Sequence, residues 1–323
     1  MRLNLRNLFI FTLIIMFTKN LKSGDIVKVL PPLEILKTLD SEGTLNNLPF
    51  MPEMISCCGK IYKVRSKLEK TCVTCLASNN LVTDKMKEFV FNDVVLLDEL
   101  RCSGNSHGDC QIGCMILWKE AWLKKSNGRN ENISINQKDI DELKKQLKIR
   151  ENDGRYFCQA TQLNISTVDI SKNKRRVKLL KEMFTGEIKF YTGVKSIVKP
   201  TWRKLRPSTL IKGRLTKTPT YALNLQPGEL VEVKSFDEIL ETLDQSGMNR
   251  GLRFYYDLKQ HCGKKFKVRN RLDRMINEAT GEMVEVKNTV ILENVNCTYE
   301  YQSYGCPRSK FHYWREIWLK RIS

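Results

Sequence analysis

Short runs of alternating polar and apolar residues recur along this chain. "DIVKV" (25–29) and "ELVEV" (229–233) each follow a glycine, the pattern of a half-buried strand opening after a turn. "KIYKVRSKLEK" (60–70) and "KKFKVRNRLDR" (264–274) alternate in the same way, and "VVLLDEL" (94–100) and "TVILENV" (289–295) read as further strands. Helical spacing interrupts them at "LEILKTLD" (33–40) and "DEILETLD" (237–244), each followed by a glycine-containing loop at Gly43 or Gly247. A longer amphipathic helix is predicted over 137–150, with Ile140, Leu143 and Leu147 on one side.

These paired patterns are one pattern written twice. Residues 24–64 align with 228–268 without a gap, at 17 identities in 41 positions. The match resumes at 94–102 against 289–297 and at "WKEAWLKK" (118–125) against "WREIWLKR" (314–321). The expected fold is therefore mainly β (α+β): tandem small SH3-like barrel units with short helices, joined by a basic helical connector. The SH3-like label rests on the Gly-Asp/Glu-x-Val-x-Val opening and is an analogy of fold. The boundaries expected are an apolar leader at 1–22, a first repeat at 23–126, a basic middle at 127–222 and a second repeat at 223–323.

The duplicated unit, the Cys-Gly-Lys of 58–60 and 262–264, "HGDCQIGC" (107–114) and the paired "WKEAW" and "WREIW" together resemble a family of uncharacterised bacterial proteins. The resemblance runs from about residue 21 onward and includes "YFCQATQL" (156–163) and "LNLQPGELVEVKS" (223–235). It implies no activity, so no catalytic role is carried over.

Length and composition narrow the class. At 323 residues the chain has room for two domains, and 41% hydrophobic with 28% charged residues is ordinary for globular protein. The net charge of +19 is not ordinary and attracts polyanions, nucleic acid first among them. Fifteen Lys or Arg against two Glu fall within 171–217, so most of the excess sits there. Lys174, Arg175, Arg176, Lys178, Trp202, Arg203, Lys204 and Arg206 are the candidate polyanion-binding residues, basic groups interleaved with an aromatic. The plainer reading is a solvated basic connector.

Arg2 and Arg6 precede an apolar run from Leu8 to Phe17, the outline of an export signal. The run is shorter than the roughly 20 residues that cross a bilayer as a helix, and no small-residue cleavage site follows it. A cytoplasmic location is the expectation; an exported, envelope-associated module is the alternative, with membrane contact only through this leader.

Eleven cysteines, an odd number, favour a reduced chain over a disulfide framework. Cys58, Cys102 and Cys110 have counterparts in Cys262, Cys297 and Cys306, whereas Cys57 aligns with His261 and Cys114 with Lys310. The metal expected on this basis is zinc, held in the first repeat by Cys58, Cys102, Cys110 and Cys114, with His107 as a replacement ligand. An iron–sulfur cluster is the alternative cofactor. The second repeat has Cys262, Cys297, Cys306 and His261 in the matching places, and cannot close a site without His261, His312 or water. Buried core cysteines or disulfides account for the same pattern without a metal.

The carboxylate between each tryptophan pair, Glu120 or Glu316, needs a buried partner, for which Arg101 and Arg308 are the candidates. No phosphate-binding glycine loop, nucleophile elbow or paired-histidine motif is present, and three histidines leave few general bases. No small-molecule substrate is identifiable. The expectation is a non-enzymatic binding or scaffold protein with a structural metal site, with an iron–sulfur or thiol redox protein as the competing class.

Overall fold

The computed structural model describes residues 20–76, 82–128, 135–184, 194, 211–297 and 308–322. The apolar run Leu8 to Phe17, the cluster Trp202 to Arg206, and Cys306 lie outside the described residues.

The chain is mainly β, and the duplication is visible in three dimensions. In the first repeat the strands are β1 (Ile26–Val29), β2 (Ile61–Lys67), β3 (Val94–Arg101), β4 (Met115–Lys119) and β5 (Leu123–Lys125). They form one curled antiparallel sheet in the order β4-β3-β2-β1-β5. In the second repeat β6 (Leu230–Val233), β7 (Lys265–Arg271), β8 (Thr289–Asn296), β9 (Phe311–Arg315) and β10 (Leu319–Arg321) repeat that order as β9-β8-β7-β6-β10.

Register is conserved between the copies. Val27 faces Tyr62 and Val231 faces Phe266. Both central ladders shift at one point, after Val64 and after Val268. Both β3 and β8 carry a second irregularity, where Glu99 and Asn294 take φ of 60° and 59°. Such bulges bend a strand and raise its twist, which curls each sheet toward a small barrel.

Helix α1 (Pro32–Leu36) stands after β1, and its counterpart α5 (Phe236–Leu240) after β6. The loop glycines following them are required. A Cβ on Gly43 would lie 2.6 Å from the Gln146 carbonyl oxygen, and one on Gly247 2.1 Å from that of Ile211. Both have φ of +73°, which an L side chain rarely adopts.

Residues of the expected middle segment, 127–222, fall in both of the compact units of the chain. The chain divides into two compact units, the first of Met1–Cys102, Met115–Ser171 and Glu278–Gly281, the second of Ser103–Cys114, Lys172–Asn277 and Glu282–Ser323. Helices α2 (Gln137–Gln146) and α3 (Gln159–Ser166) belong to the first unit, and the basic helix α4 (Lys172–Phe184) to the second. On α2, which ends at Gln146 rather than at 150, Leu143 is buried, Ile140 packs beside it, and Leu147 at the C-cap is buried in the same core. On α3, Gln159 accepts the Leu117 N–H at 2.8 Å and donates to the Leu117 carbonyl at 2.8 Å, bracketing one residue of β4.

Each core is built around its tryptophan pair. Trp118, Trp122, Trp314 and Trp318 are fully buried. Phe50 meets Trp122 edge-on at 5.2 Å, and Phe254 meets Trp318 edge-on at 5.3 Å. The two outer indoles make the same hydrogen bond, Trp122 Nε1 to Thr38 Oγ1 and Trp318 Nε1 to Thr242 Oγ1, each at 3.0 Å.

The tryptophan segments do not run as one continuous strand. β4 and β9 end at Lys119 and Arg315, and one 3-10 turn, Glu120–Trp122 or Glu316–Trp318, follows. Neither Arg101 nor Arg308 is the carboxylate's partner. Lys67 donates to Glu120 at 2.9 Å, and Arg271, its counterpart on the equivalent strand, donates to Glu316 at 3.3 Å. Glu316 also accepts the backbone N–H groups of Leu223 (2.7 Å), Asn224 (3.1 Å) and Leu225 (3.0 Å). Among the described residues, no helix is long and apolar enough to cross a membrane.

Candidate metal centre

Three segments of the second repeat meet at one end of its sheet. The first is a 3-10 turn, Tyr256–His261, with Asp257 in its opening turn. The second is the end of β8, after which Cys297 donates its N–H to the Lys310 carbonyl at 2.7 Å. The third is β9, where His312 and Trp314 share a face because side chains alternate along a strand. Trp314 points into the core, so His312 is carried inward beside it.

One ligating atom from each of Asp257, Cys297 and His312 lies within 4.8 Å of the other two. Asp257 and His312 are both buried, and Cys297 is half-buried. This buried Asp–Cys–His group could hold a metal ion. Asp257 Oδ2 and His312 Nε2 approach to 3.1 Å, yet neither atom has a hydrogen bond of acceptable geometry, and Asp257 Oδ1 has none either. A buried carboxylate without hydrogen bonds is costly, by several kcal/mol. A cation among the three groups removes that cost.

The neighbourhood holds further unpartnered polar atoms. His261 Nε2, Asn296 Oδ1 and Trp314 Nε1 are buried without hydrogen-bond partners. The His261 imidazole is pushed down to about 4, mostly by burial, then by repulsion from His312 and Lys264, with Asp257 pulling the other way. At neutral pH it therefore presents one nitrogen lone pair on an uncharged ring.

The four thiols expected to hold zinc in the first repeat are divided between the two compact units. Cys58 and Cys102 fall in the first unit, whereas Cys110 and Cys114 fall in the second with their loop, Ser103–Cys114. Cys110 Sγ accepts the backbone N–H of Ile276 at 3.4 Å. His107 is buried, its N–H closing a turn onto the Gly104 carbonyl at 2.9 Å. Among the described residues, Asp257, Cys297 and His312 are the group of three or more His, Cys, Asp or Glu with all ligating atoms this close. Cys57, Cys58, Cys262 and Cys297 are free thiols.

In the cysteine-glycine corners Cys58 is buried and Cys262 is half-buried. Burial, and after it the neighbouring Cys57, push the Cys58 thiol up to about 12. Burial likewise pushes Cys262 upward. The phenol of Tyr62 is raised by burial and by a side-chain hydrogen bond with Cys57.

Of the second-repeat residues named as possible ligands, Cys297 and His312 lie in the group and His261 beside it. Asp257 was not singled out. Its signal was available, because it aligns with Glu53 and both repeats place an acid there. His312 aligns with Ile116, a buried residue that cannot ligate.

Of the polyanion candidates, Lys174 and Arg176 are exposed and Lys178 half-buried on α4. Arg175 is in the same helix, with a side chain outside the described set. No protein-family model matches the chain, and no curated protein and no solved structure matches it either.

Proposed function

We propose that this protein is a non-enzymatic binding or scaffold protein, with two duplicated β units and a zinc ion held in the second by Asp257, Cys297 and His312. The observation that carries the reading is the convergence of those three buried side chains, whose carboxylate and imidazole atoms are left without hydrogen bonds. One thiolate, one imidazole and one carboxylate form a borderline donor set that suits zinc. An iron–sulfur cluster, which needs three or four thiolates or a cysteine–histidine mixture on two irons, is poorly served by it.

The basic segment supplies the binding half of the proposal, with nucleic acid as the polyanion. Its support is the +13 excess within 171–217 and the exposure of Lys174 and Arg176 on α4.

Zinc analysis of the full chain, purified anaerobically and compared with Cys297→Ser and His312→Ala, tests the metal. One zinc per chain, lost in both variants, supports the reading; a metal-free wild type after zinc loading refutes it. Retention on immobilised single-stranded DNA tests the second half. Binding that weakens steeply with salt is expected, at a log–log slope of about −0.7 per phosphate neutralised. Absence of retention, or retention indifferent to salt, refutes it.

A further inference from the structure

Three protein ligands and an open position make a catalytic zinc site, whereas four make a closed, structural one. The second repeat has a fourth candidate at hand. We propose that His261 is the fourth protein ligand of this metal, which closes the site against water and makes it structural. The inference rests on reading Asp257, Cys297 and His312 as a metal centre.

His261 ends the same 3-10 turn that carries Asp257, four residues further on. Its ring stands edge-on to Phe266 at 5.5 Å and to Trp314 at 6.0 Å, and Trp314 is two residues from His312 on β9. Its Nε2 is buried and has no hydrogen-bond partner. It is not in the group whose atoms all lie within 4.8 Å, so the imidazole moves to reach the ion. A fourth bond to the metal drives that movement, as metal binding commonly drives the last step of local folding.

The duplication supplies an independent argument. Position 261 corresponds to Cys57, position 257 to Glu53 and position 297 to Cys102. Three of the four positions thus carry ligating residue types in both repeats, and position 261 is one of the three.

The two copies differ in what else competes for that residue. In the first, Cys57 stands close enough to the Tyr62 hydroxyl to help raise its titration. In the second, the residue at that place is Phe266, which has no hydroxyl to offer. The exchange of tyrosine for phenylalanine leaves the His261 nitrogen available. Ile116 in place of His312 removes one ligand from the first copy as well. The metal content that follows is one ion per chain.

Cobalt(II) titration of the reduced, metal-free full chain tests this, because cobalt reports coordination number and thiolate ligation in its visible and near-ultraviolet spectrum. The wild type should take one equivalent with the intense bands of a four-coordinate ion and a thiolate charge-transfer band. Cys297→Ser should lose the charge-transfer band. His261→Ala should keep it, while the visible bands weaken as water enters, and affinity should fall by at least about 10-fold to 100-fold.

Phe266→Tyr removes no ligand but supplies the competing hydroxyl. It should weaken cobalt binding by about 10-fold or more, the scale of outer-shell changes. It also serves if His261→Ala proves unfolded by circular dichroism. Unchanged spectrum and affinity in a folded His261→Ala, or unchanged affinity in Phe266→Tyr, overturns the role of His261 and leaves the three-residue centre standing. A wild type that takes no cobalt overturns both.

Discussion

Glu316→Gln should destabilise the second unit far more than Glu120→Gln destabilises the first, although the two glutamates are repeat equivalents and equally buried. Glu316 uses both oxygens. Oε1 accepts from Leu225 and Arg271, and Oε2 from Leu223 and Asn224. Whichever way a glutamine amide is turned, its NH2 group faces two donors and loses both bonds. Each buried donor left unsatisfied costs about 1–3 kcal/mol, so the change should cost about 3–5 kcal/mol.

Glu120 uses one oxygen. Oε1 accepts from Leu21 at 3.3 Å and from Lys67 at 2.9 Å, while Oε2 has no partner. A glutamine can put its NH2 at the idle position and keep both bonds, losing only their charge assistance, about 1 kcal/mol. Because the two units need not unfold together, the assay is native-state hydrogen exchange read peptide by peptide in increasing denaturant. Equal losses in the two variants, or a larger loss for Glu120→Gln, would refute the assignment of the carboxylate networks.

Three further outcomes are expected. Ile116→His places an imidazole where the first repeat already has Glu53 and Cys102, and should raise zinc content from one to two per chain; a folded variant that still binds one shows that the repeats do not share the site's layout. The Cys58 thiol is pushed up to about 12 from an ordinary 9.0, so the folded chain keeps that proton longer than the unfolded chain. Stability should therefore be unaffected by this group below about pH 9, then fall by about 1.4 kcal/mol per pH unit toward pH 12, a slope that a pH series of denaturation curves should find reduced in Cys58→Ala. Thr38→Val and Thr242→Val each remove the acceptor of one buried indole N–H and should cost about 1–3 kcal/mol apiece in denaturant melts; a loss confined to one repeat would contradict their equivalence.

The fold was legible to the extent that it depends on local pattern. Alternation marked the strands, and the repeat tied them into two equivalent sets. Helix α2 followed from the spacing of Ile140, Leu143 and Leu147. What alternation could not mark is the 3-10 turn inserted at Glu120 and Glu316, because a tight turn between two strands leaves the hydrophobic period nearly intact. For the same reason the partners Lys67 and Arg271 were hidden. They sit 53 and 45 residues away in sequence and meet their carboxylates only once the sheet has curled.

The candidate metal-binding group was half legible. Cysteine counting pointed to Cys297, and the exchange of Cys57 for His261 marked the turn beside it. It also drew attention to the denser first repeat, with Cys58, Cys102, Cys110 and Cys114. Asp257, Cys297 and His312 come from three segments with no ligand spacing in common. Their convergence follows from the ends of β8 and β9 closing over one 3-10 turn, which is tertiary information.

X-ray absorption at the zinc edge of the zinc-loaded full chain tests the central claim most directly, because it counts sulfur against nitrogen and oxygen neighbours. One sulfur at about 2.3 Å and three lighter ligands at about 2.0–2.1 Å are the expected result. A shell of four sulfurs would place the metal among cysteines elsewhere in the chain, and would contradict the centre built on Asp257, Cys297 and His312.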